Sequence, residues 1–165
     1  MTARAWKFGD DLDTDQILPG RYAPFMTGQD KFHAYAFHDA RPEFATTVKP
    51  GDVLVGGDNF GCGSSREYAV AALKVHGIGG VVAKSFARIF FRNCINLGIP
   101  VLESADAAEM VADGDYVTLD LVAGRLRTPR GAAMLRPLPR FAQEILSAGG
   151  VVSYLRAHGD FPALD

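Results

Sequence analysis

The sequence predicts an α/β fold, a compact mixed sheet with flanking helices. Three observations carry that reading. Apolar runs at 52–56, 80–83 and 100–102 are bounded by turn residues and separated by stretches of helical spacing. The connections between them are short, which implies parallel pairing with right-handed crossovers. Beyond 103 the pattern changes: an alternating run at 116–121 and a second at 125–128 flank Ala123-Gly124 as a hairpin.

Taken in order, residues 6–18 read as a short extended piece carrying Asp10, Asp11, Asp13 and Asp15. The Asp11-x-Asp13-x-Asp15 spacing is not a calcium loop, because Gln16 stands where glycine is required and Tyr22 where the closing glutamate belongs. Pro19-Gly20 marks a turn. Residues 21–28 show no period and Pro24 argues against a helix, so they read as a loop, long enough to suggest function. An aromatic-rich helix is expected at 31–38. Its histidines, His33 and His38, stand five apart with no cysteine nearby, a poor metal pattern.

After the strand at 52–56 comes a helix at 68–76, with Ala69, Ala72 and Leu73 at helical spacing and Gly77 as its stop. A second helix spans 86–97. Ala87, Phe90, Phe91, Cys94 and Ile95 share one face, and Arg88 and Arg92 another, which reads equally as a solvated side. Short helices follow at 105–112, 139–148 and 151–158, the last two parted by Gly149-Gly150. The C-terminal third offers no identifiable chemistry and reads as a structural wrap, so residues 1–165 are expected to form one domain.

Composition removes several function classes. The chain has 165 residues, 48% apolar, with a net charge of -2. That balance gives no reason to expect nucleic acid or an anionic membrane as partner. No apolar run reaches membrane-spanning length, and the first residues are too poor in apolar side chains for a signal peptide. Two cysteines, Cys62 and Cys94, make no disulfide framework and favour a cytoplasmic location.

The chemistry concentrates at Asp58-Asn59-Phe60-Gly61-Cys62-Gly63-Ser64-Ser65-Arg66-Glu67. Gly56, Gly57, Gly61 and Gly63 let backbone turn sharply on the way from strand to helix. The exposed amides and positive dipole end of that helix would suit a carboxylate or phosphate. Ser64-x-x-Glu67 is also a capping box, which needs no ligand at all. Capping leaves Ser65, Arg66 and the glycine density without a purpose. Neither a phosphate loop nor a dinucleotide fingerprint fits: no lysine follows the glycines, and Arg66 occupies the third glycine position.

Three motifs in order, Asp13-Thr14-Asp15-Gln16-Ile17-Leu18-Pro19, Asn59 to Glu67, and Lys84-Ser85-Phe86-Ala87-Arg88-Ile89, together resemble the swivelling domain of the aconitase superfamily. The resemblance is to the free-standing small subunits of 3-isopropylmalate dehydratase and homoaconitase. It implies an aconitase-type domain of β/β/α layers. It also implies a two-chain hydro-lyase that dehydrates and rehydrates a small hydroxy-dicarboxylic acid. The cluster-bearing large subunit would hold a [4Fe-4S] group, since two cysteines are too few to ligate one; this chain would bind no metal or cofactor.

By motif position, Ser64 matches the catalytic serine. Ser65, Arg66 and Asp15 match substrate-binding residues, the planar fork of Arg66 suiting a carboxylate. Lys84, Ser85 and Arg88 read as supports of the loop. The specificity loop falls on Tyr22, Ala23, Pro24 and Phe25, with Arg21 beside it as a further carboxylate partner. An apolar loop suits an alkyl group, since a carboxylate left unpaired against it would cost several kcal/mol. That favours isopropylmalate, and with it leucine biosynthesis. Dimethylmalate, homocitrate and citrate-type acids stay open, as does a non-catalytic anion-binding regulatory domain.

Overall fold

A computed structural model describes residues 2–163. The chain runs β1 (Ala3–Lys7), α1 (Thr14–Ile17), a 3-10 turn (Gly20–Tyr22), α2 (Pro24–Thr27), a 3-10 turn (Phe32–Tyr35) and α3 (Phe44–Thr47). Then follow β2 (Val53–Gly56), α4 (Glu67–Val75), β3 (Gly80–Ala83), α5 (Arg88–Leu97), β4 (Val101–Glu103) and α6 (Ala105–Met110). The last third holds β5 (Tyr116–Asp120), β6 (Arg125–Thr128), β7 (Gly131–Met134), α7 (Arg140–Ser147) and α8 (Val151–His158).

The seven strands form one mixed sheet in the order β4-β3-β2-β1-β5-β6-β7. β1 to β4 pair in parallel, with Trp6 beside Leu54, Leu54 beside Val81 and Val81 beside Val101. β5, β6 and β7 continue it antiparallel. The sheet curls until its ends meet. The Arg136 amide donates to the Glu103 carbonyl at 2.9 Å, and the Ser104 hydroxyl to the Met134 carbonyl at 2.8 Å.

Alternation along the strands divides the core. Trp6, Leu54, Val81 and Val101 face α4, α5, α7 and α8, while Ala5, Val53, Val55, Val82 and Leu102 face α6 and the curled antiparallel strands. Both faces of the parallel strands are therefore buried, as short, wholly apolar runs require. The result is β/β/α layering. Buried Asp52 ties the start of the sheet together by accepting from the Trp6 indole at 3.0 Å, the Lys49 amide at 3.0 Å and the Arg4 amide at 3.1 Å.

Four local expectations change. The extended piece at 6–18 contains α1, closed by a capping box between Asp13 and Gln16. Pro24 does not forbid a helix: it occupies the first turn of α2, where its missing N–H was never needed. The helix expected at 31–38 shrinks to a 3-10 turn at Phe32–Tyr35. Tertiary bonding stops it, because the Phe37 amide donates to the Ile17 carbonyl at 2.8 Å and Phe37 sits at φ 54°. β7 was not foreseen, since Gly-Ala-Ala-Met carries no branched or aromatic strand former.

The end of α4 carries a consequence for acid stability. His76 is half-buried, its Nε2 donates to the His33 carbonyl at 2.8 Å, and the His33 ring lies 5.6 Å from its own. Burial, ahead of any other influence, holds its pKa below the usual value. The fold thus favours neutral His76. Its contribution is complete above an unfolded-state pKa of about 6.5 and is lost as pH falls below it. His76→Gln should therefore lose less thermal stability between pH 7 and pH 5 than the parent. An identical loss in both would place the acid sensitivity elsewhere.

Candidate active site

The site is built where β1 and β2 end side by side. The chain after β1 and the chain after β2 continue as a pair: the Gly61 amide donates to the Leu12 carbonyl at 2.7 Å, and the Thr14 amide to the Cys62 carbonyl at 2.9 Å. A third segment joins from β3, with the Phe60 amide donating to the Ser85 carbonyl and the Ala87 amide to the Phe60 carbonyl, each at 3.0 Å. The three motifs far apart in sequence thus meet at one corner.

Glycine at 61 is required twice over. Its φ is +80°, and a Cβ there would lie 2.0 Å from the Cγ of Phe90, itself fully buried. Asn59, at φ 54°, donates through its side-chain amide to Asp11 at 2.8 Å. Its backbone amide donates to the Ser85 hydroxyl, also at 2.8 Å. Ser85 donates in turn to Asp58 at 3.1 Å, while Lys84 pairs with Glu109 at 2.9 Å. Ser85 therefore braces the loop and Lys84 points to α6.

Ser64 does not cap α4. Its carbonyl is occupied, accepting from the Thr14 hydroxyl at 3.0 Å and the Arg66 amide at 2.8 Å. That tight turn delays the helix to Glu67, leaving Arg66 in the cap position with no side-chain cap. The capping box expected at Ser64 and Glu67 is therefore absent. The hydroxyls of Ser64 and Ser65 stay exposed, without a hydrogen-bond partner among the described residues. The Ala69 amide donates to the Arg66 carbonyl at 3.1 Å, while the Glu67 and Tyr68 amides have no acceptor among the described residues.

Arg66 and Asp15 come together although 51 positions separate them. The guanidinium pairs with the Asp15 carboxylate, which also accepts from the Gly20 amide at 2.9 Å. A Cβ at Gly20 would lie 3.3 Å from the Arg66 Nη1, so the guanidinium lies over a bare backbone. Arg21 points elsewhere. It pairs with Asp39 at 2.5 Å and lies 4.7 Å from the Tyr22 ring centre, so in this conformation it is not free to receive a carboxylate. Tyr22 stacks on Tyr35 at 4.1 Å, Ala23 is fully buried, and Phe25 is 78% exposed.

The aconitase C-terminal domain model matches residues 14–107, which contain the second and third motifs and all of the first but Asp13. The chain belongs to the aconitase family. Among its family relatives, the 3-isopropylmalate dehydratase small subunit 1 of Deinococcus radiodurans is 55% identical over 96% of this chain and 89% of the relative. The homoaconitase small subunit of Thermus thermophilus is also 55% identical, over 96% of this chain and 98% of the relative. A crystal structure of 3-isopropylmalate dehydratase from Methanocaldococcus jannaschii superposes with a TM-score of 0.89 at 42% identity, covering 96% of this chain and 94% of that one.

Family membership raises the question of the cluster. Cys62 lies in the site loop, but burial and the nearby Asp13 and Asp11 push its thiol pKa up, which disfavours the thiolate. Cys94 is fully buried on α5, and burial raises its pKa well above the usual range. Two protonated thiols on separate elements do not fit an iron–sulfur cluster. Among the described residues no group of three His, Cys, Asp or Glu is placed to hold a metal, and no helix is long and apolar enough to cross a membrane.

Proposed function

We propose that this chain is the small subunit of a two-chain hydro-lyase that interconverts 2- and 3-isopropylmalate by dehydration and rehydration. One observation carries the reading: an exposed serine, its hydroxyl without a partner among the described residues, stands two residues from an arginine held over bare backbone by Asp15. Ser64 takes the proton from the carbon beside a carboxylate in one direction and returns it in the other. A serine is a weak base, so its alkoxide needs donors already in place. The open amides of α4, its positive end and the Arg66 cation supply them. Asp15 fixes the Arg66 fork so that it can meet a substrate carboxylate at two points. Ser65 lies beside Ser64 as a second hydroxyl toward the substrate.

A [4Fe-4S] cluster held by the large subunit would supply the Lewis acid for the departing hydroxyl. The exposed hydroxyls belong to the face that the large subunit covers. Since the two relatives at 55% identity carry different names, identity does not choose the substrate. Loop chemistry does. The segment 22–25 turns an aromatic ring outward, and its neighbouring cation, Arg21, is engaged by Asp39. An alkyl substituent suits that surface, whereas a further carboxylate would stand unpaired.

Anaerobic assembly with the large subunit, followed by turnover of isopropylmalate, dimethylmalate, citrate and homocitrate, tests the proposal. Isopropylmalate should show the highest kcat/KM. Preference for homocitrate would mean that Arg21 leaves Asp39 and serves the extra carboxylate. Binding of these acids with no turnover of any would favour a regulatory anion-binding domain.

A further inference from the structure

We infer that Tyr68 is a positioning residue for substrate selectivity, setting the ring of Phe25 as the wall that receives the alkyl substituent; this rests on the proposed function. Burial narrows the loop first. Tyr22 is committed to its stack with Tyr35 and Ala23 is fully buried, so neither can be presented to a substrate without dismantling packing. Phe25 differs. It stands 78% exposed on the first turn of α2, and its ring contact is with Tyr68, edge to face at 6.4 Å and 78°.

The contact joins the two halves of the site. Tyr68 is in the first turn of α4, two residues past Arg66, and its own ring is partly buried against the core. Arg66 meets the start of the same loop by lying over Gly20. The loop is therefore held at both ends by the N-terminal end of α4: at Gly20 by the carboxylate-binding arginine, at Phe25 by the tyrosine ring. An exposed aromatic ring with no neighbour to rest on swings easily, and a swinging wall discriminates poorly. Tyr68 removes that freedom, placing the apolar surface at a set distance from the carboxylate fork. The Tyr68 hydroxyl has no hydrogen-bond partner among the described residues, so the ring alone suffices for this task.

The test uses the assembled two-chain enzyme and compares 3-isopropylmalate with 3-methylmalate, which share the malate core. Tyr68→Ala should lower the ratio of their kcat/KM values about tenfold, through KM for the larger acid, because alkyl selectivity of this size is what one apolar wall provides. Tyr68→Phe should restore the parent ratio. Phe25→Ala, at an exposed position where folding is not at stake, should lower the ratio by the same factor, and the double variant no further. An unchanged ratio in Tyr68→Ala or in Phe25→Ala overturns the inference while leaving the proposed function in place. No turnover of either acid by the parent complex overturns both together.

Discussion

Ser64→Ala in the assembled enzyme is expected to lower kcat by roughly 10²–10⁴-fold with KM nearly unchanged, the range for a lost general base. The structure makes this a clean experiment. The Ser64 side chain is exposed and bonds to nothing among the described residues, while the bonds that hold the turn run through its carbonyl. Alanine keeps the carbonyl, so Thr14 and the Arg66 amide keep their acceptor. The thermal midpoint and assembly with the large subunit should match the parent. A variant with near-parental kcat would remove Ser64 from proton transfer. Ser65, the neighbouring exposed hydroxyl, would then be the next group to examine.

The largest effect on stability is expected at Gly61. Gly61→Ala should destabilise the chain by roughly 3–5 kcal/mol, combining left-handed backbone strain with overpacking against Phe90. In a domain of this size that lowers the midpoint by about 10 °C, read by thermal or urea unfolding. Gly114 is the natural control. It has the same φ of +80°, yet a Cβ there meets nothing within 4 Å. Gly114→Ala should therefore cost about 1–2 kcal/mol, strain alone. Equal losses at the two positions would show that Phe90 yields and that packing does not hold the site loop.

These two residues show how the sequence could be read and where it could not. The parallel half of the sheet was legible because a short strand buried on both faces is apolar at every position, as in Val53-Leu54-Val55. The helices α4, α5, α7 and α8 were legible from spacing and from the glycines that end or separate them. The candidate site residues stand out in the sequence as motifs, but their partnerships do not. Asp15 and Arg66 lie 51 positions apart, and nothing local says that they meet. Ser64-x-x-Glu67 has the capping pattern, yet the Ser64 carbonyl sits in a tight turn, accepting from the Thr14 hydroxyl and the Arg66 amide. Asp13-x-x-Gln16 forms the box instead. Pro24 misleads because a proline in the first turn of a helix reads the same as one in a loop. Tyr68 carried no signal beyond being an aromatic residue early in a helix, and only the ring contact with Phe25 singles it out.

Arg21 marks the limit of reading charge from sequence. Beside a specificity loop it resembles a carboxylate receptor, but Asp39 on the following segment claims it. A surface ion pair of this kind adds little to stability, so a ligand could still compete for the arginine. The substrate comparison decides between these uses.

The most direct measurement follows the proton itself. Isopropylmalate deuterated at the carbon that gives up its proton is incubated with the assembled enzyme, and loss of label to water is timed in the parent and in Ser64→Ala. The parent should wash the label out at a rate comparable with turnover, and the variant should lose wash-out and turnover together by the same large factor. Wash-out at the parental rate from the Ser64→Ala enzyme would show that another group takes the proton, and the central claim would be wrong.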